Sequence, residues 1–138
     1  MAADDQPIKD RLNQFQTAWT QNDVEKMMSF WADDGTLINP MGVVANGREA
    51  LKKLFVDEHA QMFKDTTYTI TDIKTQWVTE DVVIADVSAK ISGMRSPDGT
   101  AAPDFVHHVV WVFVNKDGNW LATAARPYQF IPKMEEKK

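Results

Sequence analysis

The 138 residues include no cysteine, which removes a disulfide framework, a thiolate metal site and a cysteine nucleophile together. No apolar run approaches the roughly 18 residues that a membrane-spanning helix needs. Positive charge is in the minority: 15 Lys and Arg against 20 Asp and Glu give a formal net charge of −5. An acidic chain without a basic cluster is a poor nucleic-acid binder, and it lacks the polybasic patch of a peripheral membrane protein. Six glycines, six prolines and the absence of repeats exclude collagen-like and low-complexity classes. No Ser–His–Asp order, phosphate loop or dinucleotide fingerprint is present, so no cofactor is expected. The opening MAADDQPIKD is polar and acidic, unlike a secretory leader. The expected location is the cytoplasm, with the periplasm or secretion open if a leader was removed.

What the chain does hold is large, adaptable apolar surface: five Trp, seven Phe and seven Met. A chain of this length buries about two thirds of its surface on folding, enough for a real core. These side chains are either core filler or the lining of a pocket.

Helical signals dominate the first 65 residues. Ile8, Leu12, Phe15 and Trp19 recur at spacings of four, three and four, one stripe of an amphipathic helix. Asn22 followed by Glu25 reads as an N-cap with its box partner, opening a second, short helix with Val24, Met27, Met28 and Trp31 on its apolar face. Asp33–Asp34–Gly35 ends that helix. Thr36–Asn39 is a short extended segment, closed by the turn Asn39–Gly42. Asn46–Gly47–Arg48–Glu49 repeats the cap signature before a longer helix carrying Leu51, Leu54, Phe55, Met62 and Phe63.

Strand signals follow. Thr67–Val78 is rich in Thr, Tyr, Ile and Trp, and its apolar phase slips near Thr71–Asp72, which predicts a bulge. Val82–Ser92 buries Val83, Ala85, Val87, Ala89 and Ile91 on one face. Phe105–Val114 is apolar on both faces, which predicts cover on both. Asn115–Gly118 is a hairpin turn, and Trp120–Ala125 is the last strand. Arg126–Ile131 is expected to pack, and Pro132–Lys138 to fray. The order predicts an α+β fold, with three N-terminal helices packed on a curved, mostly antiparallel sheet. One domain is expected over 1–138, with its ordered core at about 6–131.

The segments Asp23–Met27, Phe30–Gly42, Gly47–Ala50, Val110–Phe113 and Asp117–Trp120 resemble the nuclear transport factor 2-like superfamily, in the flavour of its SnoaL-like and SgcJ/EcaC branch, over about residues 6–126. The resemblance implies a cone-shaped α+β barrel with a small-molecule cavity. Ketosteroid isomerase is the best-understood relative, and its three functional positions are altered here. The general-base aspartate before the turn proline is Asn39. The oxyanion tyrosine of the first helix aligns with Phe15. The acid of the third long strand falls around His107–Val109, where no acid stands. Steroid isomerisation by that mechanism is therefore excluded.

The expected cavity lining is Phe15, Trp19, Trp31, Met41, Phe55 and Met62, with Trp111, Arg126 and Tyr128 from the last two strands. The candidate catalytic groups are His107 and Asn39. His107 and His108 are neighbours on a strand and point to opposite faces; His107 shares the phase of Trp111 and Phe113, so it is placed inside. A neutral imidazole near its pKa serves as general acid or base. Asn39 either orients a carbonyl or forms a turn. Arg126 either holds an anionic ligand or makes a salt bridge. Asp86 either faces solvent or the cone, Asp33–Asp34 reads as a solvated turn, and His59 as a surface or capping residue. No metal is expected, because the three histidines lack ligand spacing. The function so indicated is binding of a small apolar or aromatic molecule by a homodimer, with cofactor-independent isomerase, cyclase or lyase chemistry at His107. The alternative is a non-catalytic association module like that of calcium/calmodulin-dependent kinase. No nucleic acid or membrane partner is expected.

Overall fold

Ile8, Leu12, Phe15, Ala18 and Trp19 are all buried along one side of helix α1, Gln6–Thr20. The structure, a computed structural model, describes residues 4–131. The expectations for Pro132–Lys138 lie outside the described residues. Pro7 opens α1, where its missing N–H costs nothing. Asp5, at the N-cap position, makes no side-chain cap. Its carboxylate instead accepts from Thr75 Oγ1 at 2.9 Å and Trp77 Nε1 at 2.8 Å, and these bonds hold its pKa below the ordinary value.

The second helix, α2 (Val24–Met28), is capped one residue later than the sequence pattern indicates. Asp23, not Asn22, accepts from the Lys26 N–H, while Asn22 takes a left-handed conformation at φ 58 that ends α1. The helix also stops sooner. Phe30 C=O receives the Ala122 N–H at 2.8 Å, which captures the chain into a strand, β1 (Trp31–Ile38). Asp33, Asp34 and Gly35 therefore lie within a strand rather than in a helix-ending turn. A short β2 (Val44–Asn46) pairs back on β1. Asn46 is thus a strand residue, and Gly47, at φ 90, takes the N-cap position of α3 (Arg48–Ala60). Met62 and Phe63 follow the helix in a turn rather than continuing it.

Four long strands complete the sheet: β3 (Thr67–Thr79), β4 (Val82–Ser92), β5 (Phe105–Lys116) and β6 (Asn119–Tyr128). The spatial order is β2-β1-β6-β5-β4-β3, antiparallel throughout except that β1 runs parallel to β6. The bulge in β3 falls at Thr71, between the pairs Ile70–Ala89 and Asp72–Ser88. Asp117 and Gly118 both have positive φ, 55 and 85, as a two-residue hairpin loop requires. The sheet curves around α1 and α3 without closing, and β2 and β3 are its edges. Among the described residues no helix is long and apolar enough to cross a membrane.

The core fills the concave side. The alternation in β4 holds, with Val83, Ala85, Val87, Ala89 and Ile91 all buried. Strand β5 departs from expectation: His107, Val109, Trp111 and Phe113 are buried, while Val106 is 59% exposed and Val110, Val112 and Val114 are only half-buried. A single chain covers one face of β5 and leaves the other largely open. Of the segment 126–131, Arg126 and Pro127 are half-buried and Tyr128 stacks on His108, while Phe130 and Ile131 are 71% and 90% exposed.

Gly35 sits where β1 loses register with β6, between the pairs Trp31–Ala122 and Thr36–Ala124, and the Trp31 ring lies over it. A Cβ there would stand 2.6 Å from Trp31 Cε3. Gly35→Ala is expected to lower stability by about 1–3 kcal/mol, the usual cost of overpacking a tight core; urea denaturation of variant and wild type measures it.

Candidate functional site

Helix α1 crosses the concave face, and its docking onto β3 shapes the hollow. Gln16 Oε1 accepts the Ile70 N–H at 2.7 Å and Thr20 Oγ1 the Tyr68 N–H at 3.1 Å. These bonds set Phe15 and Trp19 against the sheet. Trp19 is fixed further, its Nε1–H donating to Thr66 Oγ1 at 2.9 Å, whose hydroxyl donates to Phe63 C=O at 2.7 Å. Where the cone widens beyond these rings, a cavity of ≈ 290 Å³ remains. Phe15, Trp19, Phe55 and Trp111 form its buried walls, and Met41, Met62 and Met94 stand on its more exposed rim. Phe15 is the hub of the aromatic wall, with the Trp111, Tyr68, Trp19 and Phe55 rings 5.1–6.0 Å away in edge-on contact.

Besides Asn39 and Gln129, two polar elements face this hollow. On the sheet, His107 of β5 is 4% exposed, and its Nε2 shares a 3.2 Å hydrogen bond with the Tyr68 hydroxyl of β3. Its Nδ1 is buried, with no hydrogen-bond partner among the described residues. Burial holds the His107 pKa below the ordinary imidazole value and pushes that of Tyr68 upward, so at neutral pH the pair is an uncharged imidazole and an uncharged phenol. On the helix side, the spacing Leu51–Phe55–Glu58 puts Glu58 on the inner stripe of α3, and its side chain lines the cavity. Desolvation raises its pKa from 4.5 to about 7. Among the described residues its carboxylate has no hydrogen-bond or ion-pair partner.

Eight of the side chains singled out in the sequence line this space: Phe15, Trp19, Asn39, Met41, Phe55, Met62, His107 and Trp111. Three do not. Trp31 packs behind the lining, its ring 5.4 Å from that of Trp111. Arg126 and Tyr128 occupy the outward phase of β6, while Ala125, Pro127 and Gln129 take the inward one. The Arg126 guanidinium donates to Thr36 C=O and Oγ1 at 3.1 and 3.0 Å, tying β6 to β1 rather than awaiting an anion. Tyr128 stacks on His108 with ring centroids 5.2 Å apart, and His108 Nδ1 meets Ser88 Oγ at 3.1 Å on that outer face. Asn39 Oδ1 accepts the Met41 and Val43 N–H groups at 3.0 and 2.9 Å, which shapes the rim and leaves its amide nitrogen as the polar end open to a ligand. Asp86 faces solvent.

His59 is not on the surface. It is 3% exposed, donates from Nδ1 to Phe55 C=O at 2.9 Å and packs on Trp19 at 4.3 Å. Sequence reasoning missed Glu58 and Tyr68 as site residues. The helical spacing from Phe55 could have indicated the first; only the strand register reveals the second. No group of three metal-ligating side chains occurs among the described residues.

A family model described as a SnoaL-like domain matches residues 12–123. No curated protein matches the sequence significantly. Among solved structures, a cystatin-like-fold protein from Caulobacter vibrioides superposes with a TM-score of 0.82 at 20% identity, over 92% of this chain and 89% of that one. An NTF2-like protein from Novosphingobium aromaticivorans gives 0.76 at 20% identity, over 90% and 80%. A candidate scytalone dehydratase from the same organism gives 0.78 at 16% identity, over 96% and 88%.

The Glu58 carboxyl has a stability signature. Its folded pKa of about 7 exceeds the ordinary 4.5, so the folded state holds this proton more tightly, and stability from this group is lost as pH rises from about 4.5 through 7. Glu58→Gln should match wild type in denaturation midpoint near pH 4 and exceed it at pH 8, by about 1–3 kcal/mol after allowing for partial exposure. Equal midpoints at pH 8 would mean that the carboxylate is solvated.

Proposed function

Because the chain belongs to the SnoaL-like domain family, within the nuclear transport factor 2-like superfamily, we propose that it binds one small, mainly apolar, ring-bearing molecule in the cone cavity and performs cofactor-independent acid/base chemistry on it. The observation that carries this reading is the uncharged His107–Tyr68 pair set in a mainly apolar hollow of ≈ 290 Å³, near the lower end of small-ligand pockets. With Nε2–H donating to the Tyr68 oxygen, the Nδ1 lone pair of the neutral imidazole accepts a proton from an acidified C–H or hydroxyl, and the phenol O–H donates to a developing oxyanion. Together they suit an isomerase, cyclase or lyase. A structural relative named as a candidate scytalone dehydratase belongs by that name to the lyase class. Asn39 contributes as a donor from its amide nitrogen, its oxygen being used in the turn.

The proposal places the chain in the SgcJ/EcaC branch and includes a homodimer formed through the outer face of β5, where Val106, Val110, Val112 and Val114 present an apolar row. Sedimentation at micromolar concentration should give a dimer, and Val110→Lys should shift it to monomer. A monomeric wild type ends the dimer proposal. A ligand-free higher ring would favour an association module instead.

The ligand reading is tested with neutral probes followed by tryptophan fluorescence, which Trp19 and Trp111 should report. 2-Naphthol is expected to bind about three- to tenfold more tightly than naphthalene, the value of one hydrogen bond. His107→Leu, which keeps much of the volume, should erase that preference while naphthalene still binds. Equal affinity of the two probes for wild type would sink the role of His107.

A further inference from the structure

The cavity wall carries one ionisable carboxyl and no opposing charge. Among the described residues lining it there is no Lys or Arg, and burial keeps His107 neutral at physiological pH. Arg126, the cation expected at the mouth, is committed to β1 on the other face of the sheet. Among the described residues Glu58 has no hydrogen-bond or ion-pair partner.

Its place in the helix deepens the imbalance. Glu58 lies in the last turn of α3, a thirteen-residue helix, where the macrodipole is negative and disfavours a carboxylate. Carboxylates are commonly found near the opposite end of a helix. The rings of Trp19, Phe55 and Trp111 line the same space, and an aromatic ring attracts an ammonium group that meets its face. Helix end, carboxylate and aromatic lining therefore act in one direction. They repel an anion, tolerate a neutral molecule and favour a cation.

We infer that the cavity selects a small aromatic or cyclic amine, whose ammonium group pairs with Glu58 while its ring lies against the aromatic wall. This rests on the reading of the cavity as a ligand site and adds the charge class of the ligand. The cation supplies the partner that the fold withholds from Glu58. His107 and Tyr68, on the sheet side, then face the uncharged part of the molecule.

Three probes of one shape test it: 2-naphthylmethylamine, 2-naphthylmethanol and 2-naphthoate, titrated calorimetrically at pH 8, where both Glu58 and the amine are charged. Wild type should bind the amine at least tenfold more tightly than the alcohol, and the naphthoate more weakly than either. Glu58→Gln, which keeps the side-chain volume, should lose the amine's advantage and leave the alcohol unchanged; a thermal melt confirms that the variant is folded. An amine bound no better than the alcohol, or an advantage that survives Glu58→Gln, overturns this inference while the ligand site stands. If none of the three binds, the ligand-site reading falls and this inference with it.

Discussion

The docking of α1 along β3 is the constraint on which the rest of the molecule depends. An edge strand presents unpaired N–H groups, and here α1 answers two of them with side chains, Gln16 at Ile70 and Thr20 at Tyr68. Asp5 adds the Thr75 hydroxyl and the Trp77 indole at the far end. Three attachment points spread over fifteen residues of helix fix both its direction and its rotation. With the rotation fixed, Phe15 and Trp19 face the sheet, and the hollow beyond them takes its shape.

That arrangement also explains the electrostatics. Rings supplied by α1, α3 and β5 leave little polar surface inside, so any ionisable side chain placed there is displaced from its ordinary protonation. His107 and Tyr68 become neutral partners, and Glu58 is held part-way between acid and base near neutrality. One physical cause, desolvation by an aromatic wall, thus sets the state of all three groups. Pairs of groups with displaced pKa values mark candidate sites more often than ordinary surface.

Much of the architecture was legible from periodicity. The α1 stripe, the alternation of β4 and the bulge at Thr71 each follow from apolar spacing, because tertiary burial acts on those spacings directly. What stayed hidden was set by distant partners. Nothing local announces that Phe30 C=O is taken by Ala122 N–H, so the path through Asp33–Gly35 reads as helix end rather than strand. The inward and outward phases of β6 depend on its register with β5, so the sequence alone does not show that Arg126 and Tyr128 lie outside the cavity lining. His107 shares the inward phase of Trp111, because the strand between them is uninterrupted. Tyr68 gained its role only through a neighbour two strands away.

The parallel seam between β1 and β6 has a consequence for how the protein comes into being. Its two strands lie about ninety residues apart in sequence, and such a pairing carries a large loop-closure cost that slows folding. During synthesis, the segment from Trp31 to Ile38 must wait, unpaired on that side, until nearly the whole chain has emerged. The hollow and its wall of rings are therefore absent from every shorter nascent chain. Until then the tryptophans and phenylalanines of the first sixty-five residues have no sheet to cover them, and this is the stage at which the protein is most exposed to aggregation.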